Sequence, residues 1–253
     1  MLRNTDALDR GMPHPRLAFH TWPAAVYAIG DVHGCIDQLV ALEEEIAEDA
    51  RELDGEKWIV TLGDHVDRGP SSAAVIAHVM GPAPDGFRRF SLLGNHEAML
   101  LDFLDNPAAH ASWLEDGGMP TLKSYGIELE YPLRSAEPVR QLLLQQFPIT
   151  HAQFIATLPV YLSLPGWLFV HAGIRPGVPL AAQSETDMIW IRAPFLTSQL
   201  TGGLRVVHGH TPGKDIVVTP HRIDVDTTCV VTGKLSAVRV TPDGDTKFLS
   251  VTI

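Results

Sequence analysis

The chain has 253 residues, a length that one α/β domain with a single sizeable core accommodates. Its apolar share of 45% and charged share of 19% are those of a globular protein, and no run approaches the roughly 18 apolar residues a membrane span requires. The net charge of −11, with no cluster of Lys and Arg, argues against tight binding to a nucleic-acid backbone.

Residues 1–22 mix polar residues and Pro without an apolar signal core, which predicts a poorly ordered tail on a cytoplasmic protein. Residues 26–29 then read as a short strand ending at Gly30, followed by a helix with Leu39, Leu42 and Ile46 at helical spacing. The unit recurs twice. Residues 58–62 end at Gly63 and lead to a helix over 73–80, and residues 90–93 end at Gly94 and lead to a helix over 97–104. Residues 105–165 hold helix-like runs such as 139–147 and turn signals at Gly117-Gly118 and Pro132. They predict a helical insertion, with Trp113, Gly117 and Gly118 serving its packing or, as the lesser alternative, the segment roofing the substrate cleft. Two more strands follow, 167–170 ending at His171 and 204–207 ending at His208, and residues 216–218, 223–225, 235–240 and 248–253 read as antiparallel strands. The expected architecture for 23–253 is one α/β domain with two packed sheets flanked by helices. Cys35 and Cys229 stand far apart, give no disulfide framework, and are expected as small buried hydrophobes.

The chemistry sits at the strand ends, where open α/β sheets place ligands. Five motifs stand there: Gly30-Asp31-Val32-His33-Gly34, Gly63-Asp64-His65-Val66-Asp67-Arg68-Gly69, Gly94-Asn95-His96-Glu97, His171-Ala172-Gly173 and His208-Gly209-His210-Thr211. Together they offer oxygen and imidazole donors that suit Mn²⁺, Fe or Zn²⁺. A single Asp-x-His pair would be weak, because alternate residues of an extended chain point apart; five in order, each beside a Gly, form a coherent set. Two cations held roughly 3.5 to 4 Å apart need a bridging carboxylate. Asp64 is the candidate bridge, with Asp31 and His33 on one cation and Asn95, His171 and His210 on the other. His65 and His208 adjoin ligands and are expected to pack or hydrogen-bond behind them.

The set resembles the phosphoprotein phosphatase family of calcineurin-like metallophosphoesterases, whose signatures GDxHG, GDxVDRG and GNHE stand here as GDVHG, GDHVDRG and GNHE over about residues 25–233. His171-Ala172-Gly173, Trp190-Ile191-Arg192 and Gly209-His210-Thr211 make it more similar to the bacterial and phage serine/threonine phosphatases than to the eukaryotic ones. Where bacterial members read Asp-Thr-Gly, this chain has Asp226-Thr227-Thr228. The resemblance implies a four-layer sandwich of two mixed sheets flanked by helices. It implies Asp31, His33, Asp64, Asn95, His171 and His210 as ligands of two divalent cations, Mn²⁺ foremost. Arg68 and Arg192, with Asn95 and His96, would bind the substrate phosphate; His96 would protonate the leaving group and Asp67 would orient it. The implied reaction is direct attack of a metal-bound hydroxide on a phosphomonoester, a phosphorylated protein or a small phosphate ester, with no nucleic-acid or membrane partner. The alternative is a dinucleoside polyphosphate or cyclic nucleotide hydrolase on the same metals, against which the Asp67-Arg68 pair weighs modestly. A catalytically silent binding module on the same scaffold is disfavoured because all these groups are present together.

Overall fold

In the computed structural model, which describes residues 13–133, 135–199 and 203–253, the chain opens with β1 (Arg16–Ala18) and then builds β2 (Ala25–Ile29), α1 (Ile36–Asp49), β3 (Lys57–Thr61), α2 (Ser72–Met80), β4 (Phe87–Ser91) and α3 (Asn95–Asp105). β2, β3 and β4 pair in parallel, as strand-helix-strand units require. Helix α1 forms where the apolar spacing predicts it. Leu39, Leu42 and Ile46 are fully buried, each contributing on the order of 2 kcal/mol of apolar transfer, and they pack on Tyr27 and Ile29 of β2. The alternate β2 residues Val26 and Ala28 face the other way, so the strand is apolar throughout because both its faces are covered.

The insertion supplies a 3-10 turn at Ala111–Leu114, then α4 (Gly118–Ser124), α5 (Ala136–Gln146) and α6 (Ile149–Ala156). It is not helical to its end. Its last residues form β5 (Tyr161–Leu164), antiparallel to β6 (Trp167–Val170), and β6 pairs in parallel with β7 (Arg205–His208). Between β6 and β7 lies the short helix α7 (Glu185–Trp190). After β7 come β8 (Val217–Val218), β9 (Arg222–Asp224), α8 (Cys229–Thr232), β10 (Lys234–Val240) and β11 (Thr246–Thr252).

Two mixed sheets result, one ordered β11-β10-β2-β3-β4 and the other β1-β5-β6-β7-β9-β8. Their facing residues, among them Val60, Phe169, Val207 and Val238, form one core; α1 and α2 cover the outside of the first sheet, and α3 and the insertion helices the outside of the second. This is the predicted four-layer sandwich. In two places the structure departs from the expectations. Residues 13–22 are not a loose tail: β1 runs parallel to β5, and Phe19 and Trp22 pack against the inter-sheet core. Residues 1–12 lie outside the described residues. The C-terminal strands are not a single antiparallel set, because β9 joins β7 in parallel to bury Ile223 between the sheets. Cys35 and Cys229 are both buried as expected in the core under α1, where the Cys35 thiol donates to the carbonyl of His33 at 3.6 Å. Among the described residues no helix is long and apolar enough to cross a membrane.

Candidate metal centre and active site

The C-terminal ends of the strands from both sheets open onto one cleft of about 170 Å³, lined among others by Asp31, Asp64, Arg68, Asn95, Arg192 and His210. The loops that carry these residues are strained. His33 (φ 44°), Asp64 (51°), Asp67 (73°), Arg68 (67°) and His210 (63°) all occupy the left-handed region, at a cost on the order of 1 kcal/mol or more each. Backbone pairing holds them there: Val32 and His33 donate to the carbonyl of Asp64 at 3.1 and 2.8 Å. Glycine is required where the loops cross, since a Cβ at Gly94 would stand 2.2 Å from Oδ1 of Asp64, and one at Gly209 would stand 2.1 Å from Oδ1 of Asp31.

Glu97 is the anchor that motif spacing alone did not reveal. Its fully buried carboxylate accepts the backbone N–H of Asp64 at 2.8 Å, His65 at 2.7 Å, Val66 at 3.2 Å and Gly94 at 2.9 Å. Burial opposes its charge, yet His65, His171 and the Gly94 N–H hold its pKa down to about 2. One charged side chain therefore ties the Asp64 loop to the start of α3.

Asp64 stands between two groups of donors, His33, Asp64 and His96 on one side and Asp64, His171 and His210 on the other, with the donor atoms of each group within 4.8 Å of one another. His33 Nε2 lies 3.6 Å from Asp64 Oδ2, and His171 Nε2 lies 3.3 Å from Asp64 Oδ1. Asp31 flanks the pair: its two carboxylate oxygens accept the backbone N–H of His210 at 3.2 and 3.1 Å. His65 and His208 point elsewhere, to Thr61 Oγ1 at 2.7 Å and to Arg222 at 3.2 Å.

The donor set fits divalent cations. His33 Nδ1 faces the carbonyl of Val66 at 2.8 Å and His171 Nδ1 that of Leu62 at 3.0 Å, while the ring of His210 lies against Trp190. A backbone carbonyl that takes the N–H of one ring nitrogen leaves the other with a free lone pair, as metal-binding imidazoles require. Burial, aided by the charges of His96 and Arg68, pushes the pKa of His33 down to about 3; burial and Arg192 push His210 down to about 4; burial and His210 hold His171 well below its ordinary value. The rings are neutral. His171 Nε2 lies 2.9 Å from the side-chain amide oxygen of Asn95, close enough for the ring and the amide to turn toward one cation. The carboxylates agree: burial raises Asp64 to about 7, and burial with the neighbouring charges of Asp226 and Asp64 raises Asp31 well above the usual range. Buried carboxylates short of positive charge favour binding it.

Beside this centre His96 Nδ1 meets Asp67 Oδ2 at 2.7 Å. Burial lowers the affinity of His96 for a proton, but Asp64 and Asp67 outweigh it and leave its pKa raised. Two residues of the insertion hold Asp67: Trp113 Nε1 donates to Oδ2 at 2.6 Å and Thr121 Oγ1 to Oδ1 at 2.7 Å. Sequence reading gave Trp113 to packing and passed over Thr121, because their contact with Asp67 crosses the fold. Arg68 donates to His33 Nε2 and to His96 Nε2, each at 2.8 Å, and Arg192 reaches the carbonyl of His210 at 3.4 Å. Imidazoles are weak partners for a guanidinium, whose planar fork matches phosphate oxygens better. Asp226, unassigned from the sequence, stands near enough to Asp31 for its charge to help raise the Asp31 pKa, and it accepts the N–H of Thr228 at 2.8 Å. Thr228 itself adopts φ 55° and ψ 51°, the conformation glycine takes freely, so the turn persists without the glycine of Asp-Thr-Gly.

The sequence model of the calcineurin-like phosphoesterase family matches residues 24–225. A bis(5'-nucleosyl)-tetraphosphatase of the asymmetrical type, PrpE of Oceanobacillus iheyensis, is 27% identical over 237 residues, covering 83% of this chain and 86% of its own. Among solved structures, a provisionally assigned diadenosine tetraphosphatase superposes with a TM-score of 0.66 at 23% identity, over 94% of this chain and 98% of that one. A protein serine/threonine phosphatase from Saccharomyces cerevisiae gives 0.60 at 16% identity, over 98% of this chain and 87% of that one. At these identities the two structures speak for the fold alone. The phosphoprotein phosphatase resemblance thus holds for the superfamily and the fold, whereas relatives that span most of the chain, PrpE among them, are named for a dinucleoside tetraphosphate, the alternative reading of the sequence. With four-fifths of its length matched and the site of that fold assembled around Asp64, the chain belongs to the calcineurin-like phosphoesterase family.

Proposed function

We propose that this chain is a dinuclear metal-dependent phosphohydrolase whose substrate is a dinucleoside polyphosphate, cleaved with water to a nucleoside triphosphate and a monophosphate when the substrate is a tetraphosphate. The hydrolase reading rests on Asp64, which faces two groups of donors at once while Arg68 and Arg192 line the same cleft. The substrate follows the likeness, over 83% of this chain, to an asymmetrical tetraphosphatase.

Asp31, His33 and Asp64 would hold one divalent cation and Asp64, Asn95, His171 and His210 the other, Mn²⁺ foremost with Fe or Zn²⁺ also suited to the donors. Bound there, the cations supply Lewis acidity and a more acidic water. The protein's own part is positioning and proton control. Arg68 and Arg192 grip the phosphate oxygens, Arg68 exchanging its imidazole contacts for them, with Asn95 and His96 beside it. Asp67 holds the Nδ1 side of His96, which leaves Nε2 as the atom that passes a proton to the departing phosphate oxygen.

Hydrolysis of phosphorylated serine or threonine stands as the second reading, carried by Asp67-Arg68 within the GDHVDRG motif. Side-by-side assays of diadenosine tetraphosphate and a phosphothreonine peptide in the presence of Mn²⁺ separate the two. We expect kcat/KM at least tenfold higher for the dinucleotide. A peptide turned over readily while the dinucleotide stays intact would reverse the order.

A further inference from the structure

A second, larger concavity of about 760 Å³ opens beside the metal cleft, and Arg68 lines both. The metal cleft is of a size to take phosphoryl groups; a nucleoside needs a site of several hundred Å³ with apolar walls and a few placed polar groups. The larger groove has that character. Met119, Pro120, Ile127 and Leu129 form apolar walls, with Lys123 and Glu128 on its rim.

We propose that this groove is the nucleoside subsite, holding the part of the dinucleotide that extends away from the metals, a proposal that rests on the function given above. Continuity and charge select the occupant. Arg68, common to both, marks the point where a phosphate chain would leave the cleft, and Lys123 lines the same groove, a cation for its next charges. The ammonium of Lys123 enters no ion pair or hydrogen bond among the described residues, so it is free to receive a phosphate oxygen. Glu128, also without a partner among the described residues, is an acceptor for the paired hydroxyls of a ribose, the use acidic side chains serve in dinucleotide sites. The apolar walls suit a base, and Met119 adapts to its outline.

The groove is also tied to the chemistry. Its wall, α4, carries Thr121, which donates to Asp67 at 2.7 Å, and the residue before α4, Gly117, accepts the backbone N–H of Arg68 at 2.9 Å. A nucleoside seated on α4 would therefore be registered directly against the His96–Asp67 pair.

The test uses Lys123→Glu and Glu128→Ala, both at exposed positions, with diadenosine tetraphosphate and p-nitrophenyl phosphate as parallel substrates. Lys123→Glu should raise KM for the dinucleotide about tenfold and Glu128→Ala severalfold, with kcat/KM for p-nitrophenyl phosphate within about twofold of the parent. Unchanged KM for the dinucleotide in both variants would remove the subsite while leaving the function standing. Parallel loss on both substrates would also overturn it, since the effect would then lie in the cleft. A phosphopeptide whose turnover alone responds would assign the groove to a peptide instead. A parent enzyme that hydrolyses p-nitrophenyl phosphate but not the dinucleotide would defeat the underlying function, and the subsite with it.

Discussion

The indole N–H of Trp113 donates to Oδ2 of Asp67 at 2.6 Å, and that same oxygen meets His96 Nδ1 at 2.7 Å. A carboxylate with one bond to His96 could swing; with Trp113 on Oδ2 and Thr121 on Oδ1 it is held in one plane. Trp113→Phe keeps the buried ring and removes the donor. It should lower kcat about tenfold, the equivalent of one hydrogen bond to a charged group, with little change in KM. The loss should be larger for phenyl phosphate than for p-nitrophenyl phosphate, whose better leaving group needs less proton donation. An equal loss on both esters would reduce Trp113 to a packing residue.

Asp64 and His96 fail in different ways when changed. Asp64→Asn removes the negative charge that two donor groups share, so purified protein should carry less Mn²⁺ by elemental analysis and turn over more slowly by about two orders of magnitude or more. His96→Asn should retain its metal and still lose about 10²-fold to 10⁴-fold in kcat. Full activity in either variant is incompatible with the proposed roles.

Far from the site, Glu43 of α1 is nearly buried and takes Arg89 through both oxygens at 2.9 and 2.7 Å, with His78 at 2.9 Å. Burial pushes its pKa up, but His78 and Arg89 outweigh it and leave Glu43 below the ordinary carboxylate value. A lowered folded pKa stabilises the protein above the unfolded value of about 4.3, and that stability is lost as pH falls below it. Glu43→Gln strands a buried guanidinium and should cost about 3 to 5 kcal/mol at pH 7 by denaturant melts. The deficit should shrink as pH drops below about 4; a deficit independent of pH would mean that charge is not the cause.

Much of the site is legible in one dimension. The candidate metal donors sit within a few residues of strand ends because a short apolar run, a glycine and a polar loop are local features, and local spacing decides which side chains reach the C-terminal edge of a sheet. The helices α1, α2 and α3 follow from the same locality. Phase was harder to read: β4 begins three residues before the predicted run, since Phe87, Arg88 and Arg89 look like loop in sequence but pair with β3.

What the linear order could not contain were contacts between segments of unlike character. Trp113 and Thr121 reach Asp67 only because the insertion folds back over α2, Asp226 meets Asp31 only because β9 joins the sheet beside β7, and β1 finds β5 across most of the chain. Composition and motif order determined the family and the layered fold and pointed to the candidate metal donors, for these depend on short-range periodicity. The grip on the His96–Asp67 pair, the anchoring of the Asp64 loop by Glu97, and the groove that opens beyond Arg68 were decided by tertiary packing, because hydrogen bonds and cavities are properties of distance in space.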